Sequence, residues 1–188
     1  MKRRILSLMV VLGSIASARA DNLFGEFNRV PDSIERGFSI GTDFGVFVLT
    51  GDTKASNPGF QLAFTTGVDI TKFLSIEGIY TLGINEAPLA PIDTVLNGGV
   101  NTFLFNLAAK VQYPMDRIYP FVEFGPGVIY SRPELDPGQN KKFSFLIAAG
   151  IEYYTFLRHY SLYLKGSYHI VTLPIDALTF SAGLKYTF

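Results

Sequence analysis

From residue 37 onward the sequence alternates apolar and polar side chains with a period of two, and it does so in eight separate segments. A period of two puts successive side chains on opposite faces of an extended strand. The segments are 37–48, 60–70, 74–83, 102–113, 120–130, 143–153, 160–170 and 178–188. One parity of each segment is almost wholly apolar, as in Phe38, Ile40, Thr42, Phe44, Val46 and Val48 of the first, and contains no charged residue. The other parity carries Asp43, Asp69, Glu77, Lys110, Glu123, Glu152, Lys165 and Lys185. A soluble sandwich buries its apolar face and keeps charges outside. Here the apolar face is too extensive to lie in water, so it turns outward to lipid and the charges turn inward. Each segment has the ~10 residues that cross a bilayer as a tilted strand. Eight is an even strand number and gives the smallest common closed barrel. The fold class is therefore all-β, an eight-stranded antiparallel transmembrane up-and-down β-barrel over residues 37–188.

Composition narrows the alternatives. With 48% hydrophobic and 17% charged residues, the chain is too apolar to be disordered. Sixteen Lys and Arg against sixteen Asp and Glu leave no basic excess for a nucleic-acid partner. The absence of cysteine removes disulfides, thiolate nucleophiles and Cys-ligated zinc, and two histidines make no metal site, so no cofactor is expected. Lys2, Arg3 and Arg4, the apolar run 5–15 and Ala18-Arg19-Ala20 read as a secretory signal peptide over residues 1–20. Removing it takes away Lys2, Arg3, Arg4 and Arg19 and no acid, leaving 12 basic and 16 acidic residues, a net of −4. Residues 21–36 form a pre-barrel segment in which 31–36 has the composition of one helical turn.

The connections fall into two classes. Residues 71–73, 114–117 and 155–159 are short links. Residues 50–59, 84–101, 132–142 and 171–176 are mostly longer and rich in turn formers. Short periplasmic turns and longer extracellular loops are the outer-membrane pattern. The longest loop, 84–101, is rather apolar and is expected to fold over the mouth or to meet a partner. Aromatic girdles are expected at both interfaces. Tyr113, Tyr119, Tyr153, Tyr154, Phe156, Tyr160, Tyr186 and Phe188 would form the periplasmic one, and Phe60, Phe103, Tyr130, Phe143 and Phe180 the outer one. Pro120 and Pro126 each remove a ladder donor, so a bulge or irregular pairing is expected in the fifth strand.

Over residues 37–188 the chain resembles the small eight-stranded outer-membrane barrels of Gram-negative bacteria, such as the transmembrane domain of OmpA, most specifically in its closing segment LTFSAGLKYTF. In it Phe180, Ala182, Leu184, Tyr186 and Phe188 alternate to the end. That resemblance implies a signal read by the barrel-assembly machinery, hence a cell outer-membrane location with lipid and that machinery as partners. The segments FLSIEGIYTLGINEA, YPFVEFGPGVIY and LRHYSLYLKGSYHIVTLPIDALTFSAGLKYTF are further similar to a gliding-motility group of outer-membrane proteins (the CglE type), which implies an envelope or motility complex protein as partner.

An eight-stranded barrel is only wide enough for its side chains to fill. The eight inward charges must then pair, giving an ionic core, with Glu77 beside Lys110, Glu123 and Glu152 flanking Lys165, and Asp43 meeting Lys185. The leading reading is an integral barrel with a structural, anchoring or interaction role in the envelope. A narrow porin-like channel is the second reading. A lipid-modifying enzyme is the third: Ser167 and His169 share a face, with Asp176 as the nearer acid and Glu152 toward the opposite rim. The order Ser-x-His is the reverse of the deacylase-like His-x-Ser, so no catalytic residue is assigned.

Overall fold

The computed structural model describes residues 36–51, 58–85, 99–132, 142–155, 159–172 and 175–188. The expected signal peptide, the pre-barrel segment up to residue 35, most of the 84–101 loop and Phe156 lie outside the described residues. Eight strands follow the alternating segments in order: β1 (Phe38–Gly51), β2 (Gly59–Asp69), β3 (Leu74–Asn85), β4 (Val100–Gln112), β5 (Ile118–Arg132), β6 (Lys142–Tyr154), β7 (Tyr160–Val171) and β8 (Ile175–Thr187). Each pairs antiparallel with its sequence neighbours, and β8 returns to β1 to close a barrel. The closing seam runs from Ser39 opposite Thr187 to Gly51 opposite Ile175. Closure leaves no unpaired edge, the condition for strands to stand in hydrocarbon.

Strands extend past the sequence pattern toward the long-loop rim. β3 reaches Asn85, β4 begins at Val100, and β8 begins at Ile175, inside segments read as loops. The same parity simply continues there: Leu49, Asn85, Val100 and Ala177 are buried inside the wall. On the outer face large apolar side chains stand exposed, with Phe44 at 60% and Leu164 at 65%. Such a surface is stable only against lipid.

The short links are fixed locally. Between β2 and β3, the Thr71 hydroxyl accepts the N–H groups of Phe73 and Leu74, each at 3.1 Å. Between β4 and β5, Met115 and Ile118 exchange both backbone bonds, at 2.9 and 3.0 Å, around the two-residue tip Asp116-Arg117. Asp116 sits at φ 57°, the left-handed region that Asp tolerates better than most residues.

The prolines of β5 produce no bulge. The β4–β5 register is unchanged from Asn101 opposite Arg132 down to Gln112 opposite Phe121. Tyr113 N–H donates to the Pro120 carbonyl at 2.9 Å, so even-numbered residues of β5 direct their backbone groups to β4. Pairing lapses only where Leu107 and Ala108 face Gly125 and Pro126. Pro126 has no N–H to give Leu107, and the loss is confined to one step. Gly125 lets the strands close over it, since a Cβ there would lie 2.0 Å from the Leu107 carbonyl oxygen. Replacing Pro126 by alanine restores a donor opposite that carbonyl. The expected result is a gain of about 1 kcal/mol, read as a higher urea midpoint for unfolding from vesicles.

Two girdle expectations change. Tyr119 and Tyr154 are buried inside the barrel, edge to face with ring centroids 4.8 Å apart. Their parity is the inward one, since Pro120 and Tyr153 point outward. Tyr113, Tyr153, Tyr160 and Phe188 are exposed at the short-turn rim, as Phe60, Phe143 and Phe180 are toward the other. Tyr186 meets Tyr160 of β7 at 5.0 Å and Phe188 at 4.8 Å, and across the seam Phe188 packs near Phe38 at 5.7 Å.

Candidate functional site

The inward parity converges on a filled lumen with two levels. Near the short-turn half lie seven buried charges: Asp43, Glu77, Lys110, Glu123, Glu152, Lys165 and Lys185. Asp69, the eighth candidate, is only half-buried at the β2–β3 turn, where its carboxylate accepts from the Ser75 hydroxyl at 2.6 Å. It belongs to the rim and not to the central network.

Glu152 is the hub. Its carboxylate meets Lys110 at 2.7 Å and Lys185 at 2.6 Å, and accepts from the Ser161 hydroxyl at 2.5 Å. Lys110 also lies 3.4 Å from Glu77, which matches the expected neighbour pair. Its ammonium stands over the Phe121 ring at 4.2 Å, a further favourable contact for a buried cation. Lys165 lies 3.5 Å from Glu123 and 3.8 Å from Asp43.

Two expected pairings are therefore exchanged. Glu152 binds Lys185 instead of Lys165, and Asp43 binds Lys165 instead of Lys185. Register supplies the reason. Tyr163 is the direct partner of Glu152, and Lys165 lies a step further toward the long-loop rim. Ser161 faces Lys185 on β8, so Glu152 turns toward that pair. Asp43 stands opposite Gly183, and the Tyr163 ring lies across that glycine to place its hydroxyl 2.9 Å from the Asp43 carboxylate. The Gln61 amide donates to the other Asp43 oxygen at 2.8 Å. Gly183 is required for this crossing: a Cβ would lie 2.3 Å from Tyr163 Cζ and 2.7 Å from Asp43 Cβ.

Little space remains. The gap among Glu77, Lys110, Glu123, Tyr163 and Lys165 holds about 10 Å³, the room for about one water centre. Above it, toward the long-loop rim, apolar side chains enter the lumen among buried polar ones such as Asn85, Asn106 and His169. Phe47, Leu49, Leu104, Ile129, Val171 and Ala177 form one buried cluster, and Ile79, Ala108, Leu146 and Ala148 another. Sequence reasoning did not single out this layer. Its signal was present as apolar residues at the polar parity of their strands.

The residues weighed for catalysis are not assembled. Ser167 and His169 are buried in the lumen. His169 has Leu146 and Ala177 as register partners, neither of them acidic. Asp176 is on the outer parity, where it accepts from the Tyr168 hydroxyl and, at 3.2 Å, from Val171 N–H. The wall itself separates it from His169. Glu152 is committed to the ionic network near the other rim. Among the described residues no group of His, Asp and Glu is arranged to hold a metal ion.

An even-stranded closed barrel, apolar outside and packed with ion pairs inside, defines an integral membrane barrel of the smallest kind. The comparisons give the class its family. The family model for the outer membrane protein β-barrel domain matches residues 6–188, and the chain belongs to that family. It is an outer-membrane protein. No curated protein sequence matches the chain. Among solved structures, Neisserial surface protein A is similar with a TM-score of 0.66 and 15% identity, covering 81% of this chain and 97% of that one. The N-terminal β-barrel domain of OprF from Pseudomonas aeruginosa has a TM-score of 0.55 and 14% identity, covering 82% of this chain and all 100% of that one. Ail, the attachment invasion locus protein of Yersinia pestis, has a TM-score of 0.53 and 13% identity over 82% and 100%. At these identities the likeness is one of fold.

Proposed function

We propose that the barrel is a closed anchor in the outer membrane whose working surface lies outside the lumen. One observation carries this reading: the lumen is filled at two successive levels, by the Glu152-centred ionic network and by the Phe47–Leu104–Ile129 cluster. A conducting path would have to cross both. The barrel then acts as a structural or interaction component of the envelope, since a scaffold of this kind takes its role from loops and partners. The outward residues Phe180, Ala182, Leu184 and Tyr186 of β8, with Phe188 just past its end, serve as the strand presented to the assembly machinery. The gliding-motility assembly implied by the resemblance of residues 73–87, 119–130 and 157–188 is the first envelope complex to test as partner. Crosslinking and pull-down from detergent-solubilised outer membranes should recover a specific envelope protein; a solitary barrel would remove this part of the reading.

A narrow channel is the competing function. A closed anchor should show no unitary conductance in planar bilayers. Nor should Glu77→Gln conduct, because the apolar layer remains in place above the altered pair. Steady channel events from either protein would replace the anchor by a gated pore. Removing His169 tests the enzymatic reading: His169→Ala cells are expected to retain any lipid A modification that the wild type shows.

A further inference from the structure

Among the described residues, the lipid-facing wall carries a shallow recess that the packed lumen does not explain. It runs along the outside of β4 and β5. Phe105, Leu107, Pro126 and Val128, flanked by Phe143 of β6, line its lower, more open part. Phe103, Phe105, Val128, Tyr130 and Arg132 line its upper part. Phe105 and Val128 are common to both, so the two parts form one groove. It begins where the ladder lapses at Pro126 and ends at the long-loop rim. The span from Pro126 to Arg132 is six residue steps, about 20 Å along the strand at ~3.4 Å per residue and about 15 Å in depth at a strand tilt of about 40°. Half of a ~30 Å hydrocarbon core is about 15 Å, so the groove matches the depth of a single leaflet.

Its upper end is chemically different from its body. Arg132 is exposed there, with Nε donating to the Tyr130 hydroxyl and the guanidinium 5.4 Å from the Tyr130 ring centroid. Tyr130 in turn packs against Phe103 at 5.9 Å. An apolar trough of one-leaflet length, capped at headgroup level by an arginine held in place on an aromatic ring, is complementary to a lipid with a phosphate. Guanidinium presents a planar fork of donors suited to phosphate oxygens. A protein partner would approach from the aqueous side and would not need a trough in the hydrocarbon layer.

We propose that this groove is a lipid site: one acyl chain of an outer-leaflet lipid lies between β4 and β5, with its phosphate on Arg132. The test is native mass spectrometry of the full-length barrel, delipidated in detergent and titrated with dipalmitoyl phosphatidic acid or with dipalmitoyl glycerol, which has the same chains and no phosphate. The wild type should retain phosphatidic acid at about tenfold lower lipid concentration than the glycerol lipid, the size of one charge-assisted contact. Arg132→Ala should bring phosphatidic acid to the glycerol level. Val128→Trp, which fills the trough from an exposed position, should weaken both. Lys72→Ala, at the opposite rim, should change nothing. Inorganic phosphate in excess should fail to displace phosphatidic acid, because the chain contributes binding that the free anion lacks. Equal retention of both lipids by the wild type, or undiminished phosphatidic acid binding by Arg132→Ala or by Val128→Trp, overturns the proposal. So does full displacement by inorganic phosphate, which would make Arg132 an anion site without an acyl groove.

Discussion

Replacing Glu152 by leucine should cost the barrel about 3–5 kcal/mol, the usual penalty for breaking a buried ion pair from one side. The change leaves Lys110 and Lys185 in a lumen where both had their shortest contact to the same carboxylate. Glu77, 3.4 Å from Lys110, is already the more distant partner and takes over only part of the interaction. Lys185 has no second acid within ion-pair distance among the described residues. The measurement is the urea midpoint of unfolding from vesicles. The control is the triple change Glu152→Leu, Lys110→Met and Lys185→Met, which removes the charges together and should recover most of the loss. If the triple variant were as unstable as the single one, packing volume and not charge would be the origin.

Charge inventory sharpens that expectation. The buried network holds four acids, Asp43, Glu77, Glu123 and Glu152, against three lysines. Removing a lysine deepens the imbalance, whereas neutralising Glu123, which among the described residues has a single lysine within ion-pair distance, at 3.5 Å, relieves it. Glu123→Gln is therefore expected to be far milder than Lys110→Met, although both residues are equally hidden and belong to the same layer.

The second large effect is steric. Gly183→Ala should destabilise by about 1–3 kcal/mol, the range for overpacking a filled interior. The new methyl would meet the Tyr163 ring at 2.3 Å and its hydroxyl at 2.6 Å, so the ring must leave Asp43. In a Tyr163→Ala background the same glycine change should be nearly free, because the ring is already gone. The double-mutant cycle should show strong coupling. Additive losses would mean that Gly183 matters through the backbone and that the ring crossing is incidental.

The wall was legible in the sequence to a degree that the lumen was not. Alternation has one bit per residue, in or out, and the inward positions from Ser39 to Thr187 follow it on every strand. Pairing inside depends instead on the stagger between strands, to which a period of two is blind. Glu152 and Lys165 sit on adjacent strands at plausible depth, yet Tyr163 stands directly opposite Glu152 and deflects it toward Ser161 and Lys185. Asp69 has the right parity but falls at a turn, where Ser75 satisfies it. Tyr119 and Tyr154 were read by their place near a strand end; their parity alone would have put them inside. The apolar layer was missed for a related reason. Phe47, Leu104 and Ile129 break the polar face of their own strands, and such breaks gain meaning only when three strands show them at one height. Asp176, the acid nearer to His169 along the chain, lies outside the lumen because proximity along the chain does not say which side of a wall a residue takes.

The pairing of Ser39 with Thr187 at one end of the seam and of Gly51 with Ile175 at the other has a kinetic consequence. Every other ladder joins strands adjacent in the chain and is able to form as a hairpin. The seam joins the two most distant strands, so it carries the greatest loop-closure entropy and is expected to form last. Until it does, β1 and β8 are two naked edges, each a template for pairing with a foreign strand. The unfinished molecule is thus an open ribbon in danger of adding the wrong neighbour, and its safety during biogenesis depends on how long those two edges are kept apart from others and brought to each other.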